Sequence, residues 1–261
     1  MSRIKRPIPF VLVSSNHGTM IVNRNDYCIG SNGGAWGVGH QILMTGSHDQ
    51  PEVDLLLTLL ERRRKHFGDG VVAIDCGANI GVHSVEWGRA MYGWGEVLAF
   101  EAQERVFYAL AGNVTINNCL NVSVRHCAVG ANCSQIEIPE PDYLTPGSFG
   151  SLELKRTMGS EFIGQKIDYQ KTRPVTQISI DSLALKRLDL IKIDVEGMEQ
   201  EVVEGSTKSI GTYHPIMMIE VLKTDRTLIE RTLLPVGYKC YLFGYMLLAI
   251  HTSDPLTQEI K

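Results

Sequence analysis

The segment Asp75-Cys-Gly77-Ala-Asn79-Ile-Gly81 combines glycines with an acidic residue in a spacing that suits ligand binding. It follows the apolar run Val71–Ile74 and precedes a helical pattern. A glycine turn between a buried strand and a helix can present main-chain N–H groups and a helix amino terminus to a ligand. Roughly 20 residues after this turn, Glu101 ends the next strand, where a carboxylate can accept hydrogen bonds from both hydroxyls of a ribose. The turn and the acid together predict a site for an adenosine-containing cofactor.

The charge of Asp75 favours one kind of adenosine cofactor over another. A carboxylate at the turn repels a pyrophosphate but suits a ligand that carries an ammonium or sulfonium group, and the spacing is Gly-x-Asn-x-Gly, not Gly-x-Gly-x-x-Gly. S-adenosylmethionine is therefore favoured over NAD. The simpler alternative is that the glycines only allow a close crossing of strand and helix, and that Glu101 is a solvated loop acid. Cys76 is interpreted as a small filler, because the sequence assigns no base to it.

A second charged segment is Ile191-Lys192-Ile193-Asp194-Val195-Glu196-Gly197. Strand alternation places Lys192, Asp194 and Glu196 on one face, which is costly unless the charges are paired or lie at the exposed carboxyl end of the strand. Methyl transfer to a hydroxyl needs alignment of the acceptor and removal of its proton, so Asp194 or Glu196 is a candidate general base and Lys192 completes the candidate catalytic set. The structural alternative is that Lys192 pairs with Glu196 and that Asp194 caps the following helix.

Metal binding is a weaker interpretation of the same acids. Glu220 lies near the end of the apolar run PIMMIEV, and its convergence with Asp194 and Glu196 would supply oxygen ligands for a divalent cation. Spacing alone does not bring three loops together, so we assign no metal ligands. The eight histidines show no metal-ligand spacing, and only His40 and His83 are singled out for testing.

Strand and helix patterns alternate along the chain and predict the elements that position these residues. The fold class expected is α/β, a doubly wound, Rossmann-like, mainly parallel seven-stranded sheet whose sites lie at the strand carboxyl ends. The tail GYKCYLFGYMLLAI predicts an antiparallel C-terminal hairpin around Gly244. Helical spacing is found from Pro51 to Gly68, from Gly81 towards Met91 and from Glu104 to Asn117.

Three segments organise the expected domain. Residues 1–48 form a short β-rich extension packed on the core, residues 49–261 form the catalytic domain, and residues 139–172 form an insert within it. The loop at 31–40 contains Trp36, and the insert contains aromatic residues, among them Tyr143, Phe149 and Phe162. Long loops with glycines and aromatic residues often act as lids or substrate walls, although oligomer contacts are an alternative.

Composition limits the class of partner. The chain has 261 residues, 44% of them hydrophobic, and a net charge of −4, so it lacks the overall basic field that gathers nucleic acid or anionic lipid. No apolar run approaches the ~18 residues of a membrane span. The six cysteines form no CxxC pair and no signal peptide is recognised, which indicates reduced thiols and a cytoplasmic protein. A small-molecule acceptor is the expected partner, and a homo-oligomer is left open.

Five motifs together resemble the FkbM-type methyltransferases, a branch of the class I S-adenosylmethionine-dependent enzymes. They are VVAIDCGANIGVHS, VLAFEA, ISIDSL, DLIKIDVEGMEQEVVEG and HPIMMIEV. The matches run from about Glu52 to Ile250, whereas residues 1–48 and 139–172 match no motif of the family. The resemblance implies S-adenosylmethionine as the cofactor and S-adenosylhomocysteine as the product.

The same resemblance implies roles for individual residues. Glu101 would hold the ribose and Ala128 would lie near the adenine. The methionine part of the cofactor would contact the glycine turn and the helix start, at Asp75, Gly77, Ala78, Asn79, Gly81, His83 and Ser84.

The activity expected from these features is O-methylation of a small-molecule hydroxyl, on a sugar or a polyketide-like compound. Three alternatives remain open: N-methylation of a small amine, a nicotinamide-dependent oxidoreductase, and a non-catalytic adenosyl-binding protein.

Overall fold

A computed structural model describes residues 6–31, 33–156 and 160–258. The parts of the expected extension and insert at residues 1–5, 32 and 157–159 lie outside the described residues, as do residues 259–261. The helices are α1 (Val38–Thr45), α2 (Gln50–Phe67), α3 (Val82–Ala90), α4 (Glu104–Ile116), α5 (Glu199–Glu204), α6 (Thr207–Tyr213) and α7 (Arg226–Leu233). The strands are β1 (Phe10–Ser15), β2 (Gly18–Asn23), β3 (Cys28–Ile29), β4 (Ala35–Trp36), β5 (Val71–Cys76), β6 (Gly95–Glu101), β7 (Val122–His126), β8 (Ala128–Val129), β9 (Ser134–Pro139), β10 (Thr172–Ile178), β11 (Leu190–Ile193), β12 (Ile216–Glu220), β13 (Tyr238–Phe243) and β14 (Met246–His251).

Seven of these strands form the central sheet, in the order β13-β14-β12-β11-β5-β6-β7. Strands β5, β6, β7, β11 and β12 are parallel, whereas β14 runs antiparallel to both β12 and β13. The predicted fold class and the antiparallel C-terminal hairpin are confirmed. Because the chain leaves β5 on one side towards β7 and returns on its other side with β11, a topological switch point lies between β5 and β11.

The central strands are buried because helices cover both faces of the sheet. Along β5, Val71 and Ala73 face the layer of α2 and α3, and Ile74 and Cys76 face the layer of α5, α6 and α7. All four residues of β11 are buried, Lys192 included. None of the described helices is long and apolar enough to cross a membrane.

The hairpin of β1 and β2 packs on α4 through a buried amide. Oδ1 of Asn113 accepts a hydrogen bond from the main-chain N–H of Ile21 at 2.5 Å, and its Nδ2 donates to the carbonyl of Ile80 at 2.7 Å. Asn113 thus ties the N-terminal hairpin, α4 and the glycine turn together.

The strand expected over Val122–Val129 is divided between two sheets. It breaks at Cys127, so that β7 edges the central sheet while β8 joins a three-stranded sheet in the order β8-β10-β9. The break turns Ala128 towards the carboxyl end of the central sheet, where the main cavity lies.

Candidate active site

A cavity of about 550 Å³ opens at the carboxyl ends of β5, β6, β11 and β12, at the topological switch point. Crevices at such points are where open α/β sheets bind their ligands. Most of the predicted site residues line it: Gly77, Ala78, Asn79, His83, Glu101, Ala128, Lys192, Asp194 and Glu196. Asp75, Gly81 and Ser84 are not among the lining residues.

The glycine turn approaches the β11 turn so closely that Gly77 has no room for a side chain. Its φ is +76°, and a Cβ there would lie 1.8 Å from the carbonyl oxygen of Asp194. Gly81 begins α3 with φ +89°, and a Cβ would lie 2.5 Å from a methyl group of Leu110. Gly77 therefore allows two loops to meet at the cavity, and Gly81 allows α3 to pack against α4.

The expectation that this turn offers free N–H groups to a ligand is wrong. The N–H groups of Gly77 and Ala78 both donate to the carbonyl of Phe100, at 3.0 and 2.9 Å. Those of Asn79, Ile80 and Gly81 donate to the Glu101 carboxylate, to the Asn79 side chain and to the Ala78 carbonyl. Because buried amides need partners, β6 and the turn together satisfy these five donors, and the turn presents a surface without bulky side chains.

Asp75 lies behind the turn and not in the cavity. Its Oδ2 accepts a hydrogen bond from the Ser84 hydroxyl at 2.6 Å, and its Oδ1 is buried with no hydrogen-bond partner among the described residues. Asp75 is in register with Lys192 on the neighbouring strand. Its carboxylate therefore faces the same layer as the lysine ammonium.

Glu101 is buried at the end of β6 and lines the cavity. Its two oxygens accept hydrogen bonds from the N–H groups of Asn79, at 3.0 Å, and Gln103, at 2.7 Å. Burial raises the pKa of Glu101 to about 7, against the effect of these hydrogen bonds. A carboxylate offers about four acceptor positions, so the group retains capacity for hydroxyl donors from a ligand.

His83 faces a glutamate from α2. Its Nε2 lies 3.3 Å from Oε1 of Glu52, close enough for ion pairing but without hydrogen-bond geometry. Burial tends to raise the pKa of Glu52, but the contact with His83 and the field of Lys192 outweigh it and lower that pKa to about 2. No sequence pattern indicates this contact, because Glu52 is simply an acid in the first turn of α2.

The charges of the second motif lie largely in a turn. Strand β11 ends at Ile193, and Glu196 adopts the left-handed conformation with φ +56°. Nζ of Lys192 pairs with Asp194 at 2.8 Å, whereas Glu196 pairs with Lys223 at 2.5 Å. The Lys192–Glu196 pair of the structural alternative is therefore not formed, because the turn points Glu196 towards the β12–α7 loop.

Asp194 does not cap α5, contrary to the structural alternative. The turn is held by Glu199, whose Oε1 accepts hydrogen bonds from the N–H groups of Val195 and Gly197, each at 3.1 Å. Glu199 is completely buried and is a positioning residue that sequence analysis missed. A capping residue can be recognised in a sequence only when the start of the helix is known. Here α5 begins at Glu199 itself.

Three acids converge where β11 and β12 end. One carboxylate oxygen each from Asp194, Glu196 and Glu220 lies within 4.8 Å of the others. Burial, followed by the charge of Asp194, raises the pKa of Glu220 to about 8, and burial also raises that of Glu196. Oε2 of Glu220 is buried and has no hydrogen-bond partner among the described residues. The three acids are thus close enough to bind one metal ion, as considered from the sequence. Lysines already pair with two of them, Asp194 and Glu196.

The outer wall of the cavity comes from the N-terminal segment and the insert. Trp36 and one face of α1 line it on one side, and Gly150, Ser151 and Leu152 line it on the other. The buried carboxylate of Asp26 joins these two sides, since it accepts hydrogen bonds from the N–H groups of Gly39 and Phe149, both at 2.9 Å.

Comparison with known proteins identifies the family. A sequence profile described as "Methyltransferase FkbM domain" matches residues 75–251, which is more than half of the chain. The chain belongs to the FkbM methyltransferase family. The match includes the glycine turn, Glu101 and the three converging acids, and it leaves out α1, α2 and the N-terminal hairpins.

Curated relatives of this FkbM-family chain are themselves methyltransferases by name. "Methyltransferase 1" of Beauveria bassiana is 26% identical over 150 residues, which cover 53% of this chain and 59% of that protein. "Methyltransferase sdnD" of Sordaria araneosa is 28% identical over 153 residues, which cover 51% of this chain and 59% of that protein. The matched region therefore spans 59% of the length of each relative.

A solved structure shares the fold. The methyltransferase FkbM from Methylobacillus flagellatus KT superposes with a TM-score of 0.50 at 17% identity, covering 70% of this chain and 43% of that one. At this identity the likeness concerns the fold alone.

Proposed function

We propose that the protein is an S-adenosylmethionine-dependent methyltransferase that methylates a hydroxyl group of a small molecule. The observation that carries this proposal is the sharing of one cavity by Glu101 and the three converging acids. A ribose-binding carboxylate and groups able to accept a proton thus border the same space. Membership of the FkbM family supports the same reaction class.

The residues of the cavity fit the cofactor. Glu101 retains acceptor capacity for ribose hydroxyls, and Cys127, Ala128 and Val129 offer a largely apolar ledge for an adenine. The excess of carboxylates at the β11 and β12 ends complements a sulfonium cation. When bound, S-adenosylmethionine supplies an electrophilic methyl group.

Side chains of this protein would then remove the proton from the acceptor hydroxyl. Asp194 and Glu196 are the proposed bases, and Lys192 and Lys223 hold them in place through their ion pairs. Burial raises the pKa of Glu196, so its carboxylate, once ionised, is a stronger base than that of an ordinary glutamate. His83 and Ser84 are proposed for the methionine side, with Asp75 behind them.

The excess of carboxylates also favours a second candidate, N-methylation of an amine. Asp194, Glu196 and Glu220 would bind an ammonium group as well as they would orient a hydroxyl. The chemical nature of the methylated product distinguishes the two reactions.

Calorimetric titration with S-adenosylhomocysteine and with NAD tests the cofactor. We expect binding of S-adenosylhomocysteine and none of NAD, and a loss of at least about tenfold in affinity for Glu101→Ala, the scale of one or two lost charge-assisted hydrogen bonds. Glu96→Ala, an exposed acid on the same strand, is the control and should bind normally. Binding of NAD in place of S-adenosylhomocysteine would overturn the proposal.

Methyl-labelled S-adenosylmethionine and a library of alcohols and amines test the reaction. We expect a methoxy signal in the NMR spectrum of the product, and a strong loss of turnover in Asp194→Asn and Glu196→Gln with binding of S-adenosylhomocysteine preserved. An N-methyl product would establish the second candidate. If S-adenosylhomocysteine binds equally well to the wild type and to both variants, and no acceptor is methylated, the protein is a non-catalytic adenosyl-binding protein.

A further inference from the structure

The glycine turn has no carboxylate in the cavity that could meet the ammonium group of S-adenosylmethionine. Asp75, the acid of the turn, is 1% exposed, accepts a hydrogen bond from Ser84 and is not among the residues that line the cavity. An ammonium group taken out of water without an ion pair or hydrogen bonds is costly, so a cofactor with this group needs another acid.

Six carboxylates line the cavity among the described residues. They are Asp49, Glu52, Glu101, Asp194, Glu196 and Glu220. Asp194 and Glu196 already pair with lysines, and Glu101 lies at the end of β6, where the ribose is expected. The choice is therefore among the three other acids.

Of these three, Glu52 has the charge and the burial that suit an ammonium group. Burial, followed by the charge of Asp194, raises the pKa of Glu220 to about 8, so Glu220 is largely protonated at neutral pH. The side chain of Asp49 is 50% exposed and pairs with His48. The side chain of Glu52 is only 12% exposed, and its pKa of about 2 keeps the carboxylate ionised at neutral pH. Such an anion attracts a cation more strongly than an exposed one does, because water screens it less.

His83 and Glu52 together complement an α-amino acid. Nε2 of His83 lies 3.3 Å from Oε1 of Glu52, and both residues line the cavity. The contact is an ion pair without hydrogen-bond geometry, so the carboxylate can accept N–H groups of a ligand without losing a formed hydrogen bond. An anionic acceptor beside an imidazole that can donate matches a head group in which an ammonium and a carboxylate share one carbon atom.

The charge around Glu52 favours a further cation. Burial lowers the pKa of Lys192, but the charges of Asp194, Glu52 and Asp75 outweigh it and raise that pKa above its usual range. Three carboxylates thus share the field of one ammonium group, and an excess of negative charge remains on this side of the cavity. An ammonium group brought by the ligand reduces that excess.

The position of Glu52 is fixed by the helix that carries His83. His17 is completely buried. Its Nδ1 lies 2.9 Å from Oε1 of Glu86 on α3, and its Nε2 accepts a hydrogen bond from the main-chain N–H of His48, just before α2, at 2.9 Å. The start of α2 is thereby tied to α3. A carboxylate held in place before its ligand arrives binds that ligand at a lower entropic cost.

We propose that Glu52 binds the ammonium group in the methionine part of the cofactor, a role for which the sequence favoured Asp75. This inference rests on the proposed function, because it takes S-adenosylmethionine as the cofactor. Glu52 precedes residues 75–251, which match the family profile, so cofactor binding depends on a helix outside the matched region.

Calorimetric titration with three ligands tests the inference. They are S-adenosylhomocysteine, its deamino analogue, which lacks only the amino group, and 5′-methylthioadenosine, which lacks the amino-acid end. In Glu52→Gln we expect the affinity for S-adenosylhomocysteine to fall at least about tenfold, the scale of one lost charge-assisted hydrogen bond. The affinities for the other two ligands should fall by less than about twofold, because neither has the ammonium group.

Glu61→Gln is the matched control, because Glu61 is an exposed acid on the same helix and does not line the cavity. All three affinities should be unchanged in this variant. A purely structural role of Glu52 would lower the three affinities together in Glu52→Gln. That result, or an unchanged affinity for S-adenosylhomocysteine, would overturn the inference and leave the proposed function intact. Failure of the wild-type chain to bind any of the three ligands would overturn the function itself.

Glu52→Asp provides the same test if Glu52→Gln does not fold. It keeps the charge but withdraws the carboxylate by one methylene group. The affinity for S-adenosylhomocysteine should then fall at least about threefold, while that for 5′-methylthioadenosine stays within about twofold of the wild type. Equal losses for the two ligands would again overturn the inference.

Discussion

Gly77 is the residue at which the two turns of the site come into main-chain contact. Replacement by alanine would place a methyl group against the Asp194 carbonyl, at 1.8 Å, in a backbone conformation that already disfavours side chains. We expect Gly77→Ala to lower the free energy of unfolding by more than about 3 kcal/mol, measured by urea denaturation.

Gly93→Ala separates the steric effect from the backbone effect. Gly93 has a similar φ of +82°, but a Cβ there would meet nothing within 4 Å. Its cost should be only the left-handed penalty of about 1–2 kcal/mol. Equal destabilisation of the two variants would contradict the close contact at Gly77.

The raised pKa of Glu220 predicts that the stability of the fold depends on pH. Its pKa is raised to about 8 in the folded chain, whereas an unfolded glutamate titrates near about 4.3. The folded state thus binds the proton of Glu220 more tightly than the unfolded state does. Proton binding therefore stabilises the fold, fully below about pH 4.3, and the stabilisation is lost as the pH rises through about 8.

Glu220→Gln removes that proton linkage. Between about pH 5 and pH 9 the wild-type chain should lose about 1–3 kcal/mol more stability than the variant, as measured by urea midpoints along the pH series. Glu96→Gln, on the exposed side of β6, should follow the wild-type curve. Parallel curves for wild type and Glu220→Gln would refute a strongly perturbed Glu220.

At the scale of elements, α4 and the residue that follows it hold the N-terminal hairpin through two asparagines. Asn113 is completely buried and bonds to Ile21 and Ile80, whereas Asn117, one turn later and nearer to solvent, bonds in the same manner to Thr19. Asn113→Ala leaves buried main-chain groups unpaired and should cost about 2–4 kcal/mol in thermal or urea unfolding.

Asn117→Ala is the matched substitution and should cost less than about 1 kcal/mol, because water replaces the lost bonds. A similar cost for both variants would mean that burial does not distinguish the two anchors. Since Asn113 also bonds to the glycine turn, its loss should weaken S-adenosylhomocysteine binding, and the loss of Asn117 should not.

Elements with strong periodicity were predictable from the sequence. The helix after Pro51 and the strand before Asp75 were both predicted, because helical spacing or a continuous apolar run does not depend on distant partners. The division of Val122–Val129 was not, since a two-residue strand such as β8 is stabilised by its partner β10 and not by its own sequence.

At the scale of the whole molecule, stability and binding are located at opposite ends of the sheet. Arg63 of α2 is buried between Asp189, before β11, and Asp254, after β14, at 3.2 and 2.5 Å. Arg63→Met leaves Asp254 without its cation, whereas Asp189 keeps its pair with Arg187 at 2.7 Å. The substitution should cost about 3–5 kcal/mol in urea unfolding, because a buried carboxylate loses its partner.

Arg64→Met is the neighbouring control. Arg64 pairs with Asp69 near the surface, and its loss should cost less than about 1 kcal/mol. The folded Arg63→Met variant should bind S-adenosylhomocysteine with wild-type affinity, because Arg63 and its two carboxylate partners lie at the amino end of the sheet, away from the cavity. A selective loss of binding would contradict this separation.

The sequence by itself determined the α/β class, the glycine turn after β5 and the acids that end β6, β11 and β12, since each depends on local pattern and on where a strand stops. Only the tertiary structure decided which charges pair, namely Glu196 with Lys223 and His83 with Glu52. It also decided that the main-chain amides on either side of Glu196 donate to Glu199. It also decided that α1 and Trp36 form a wall of the cavity. These contacts join residues from separate loops and helices, and their geometry follows from how the elements pack and not from any spacing along the chain.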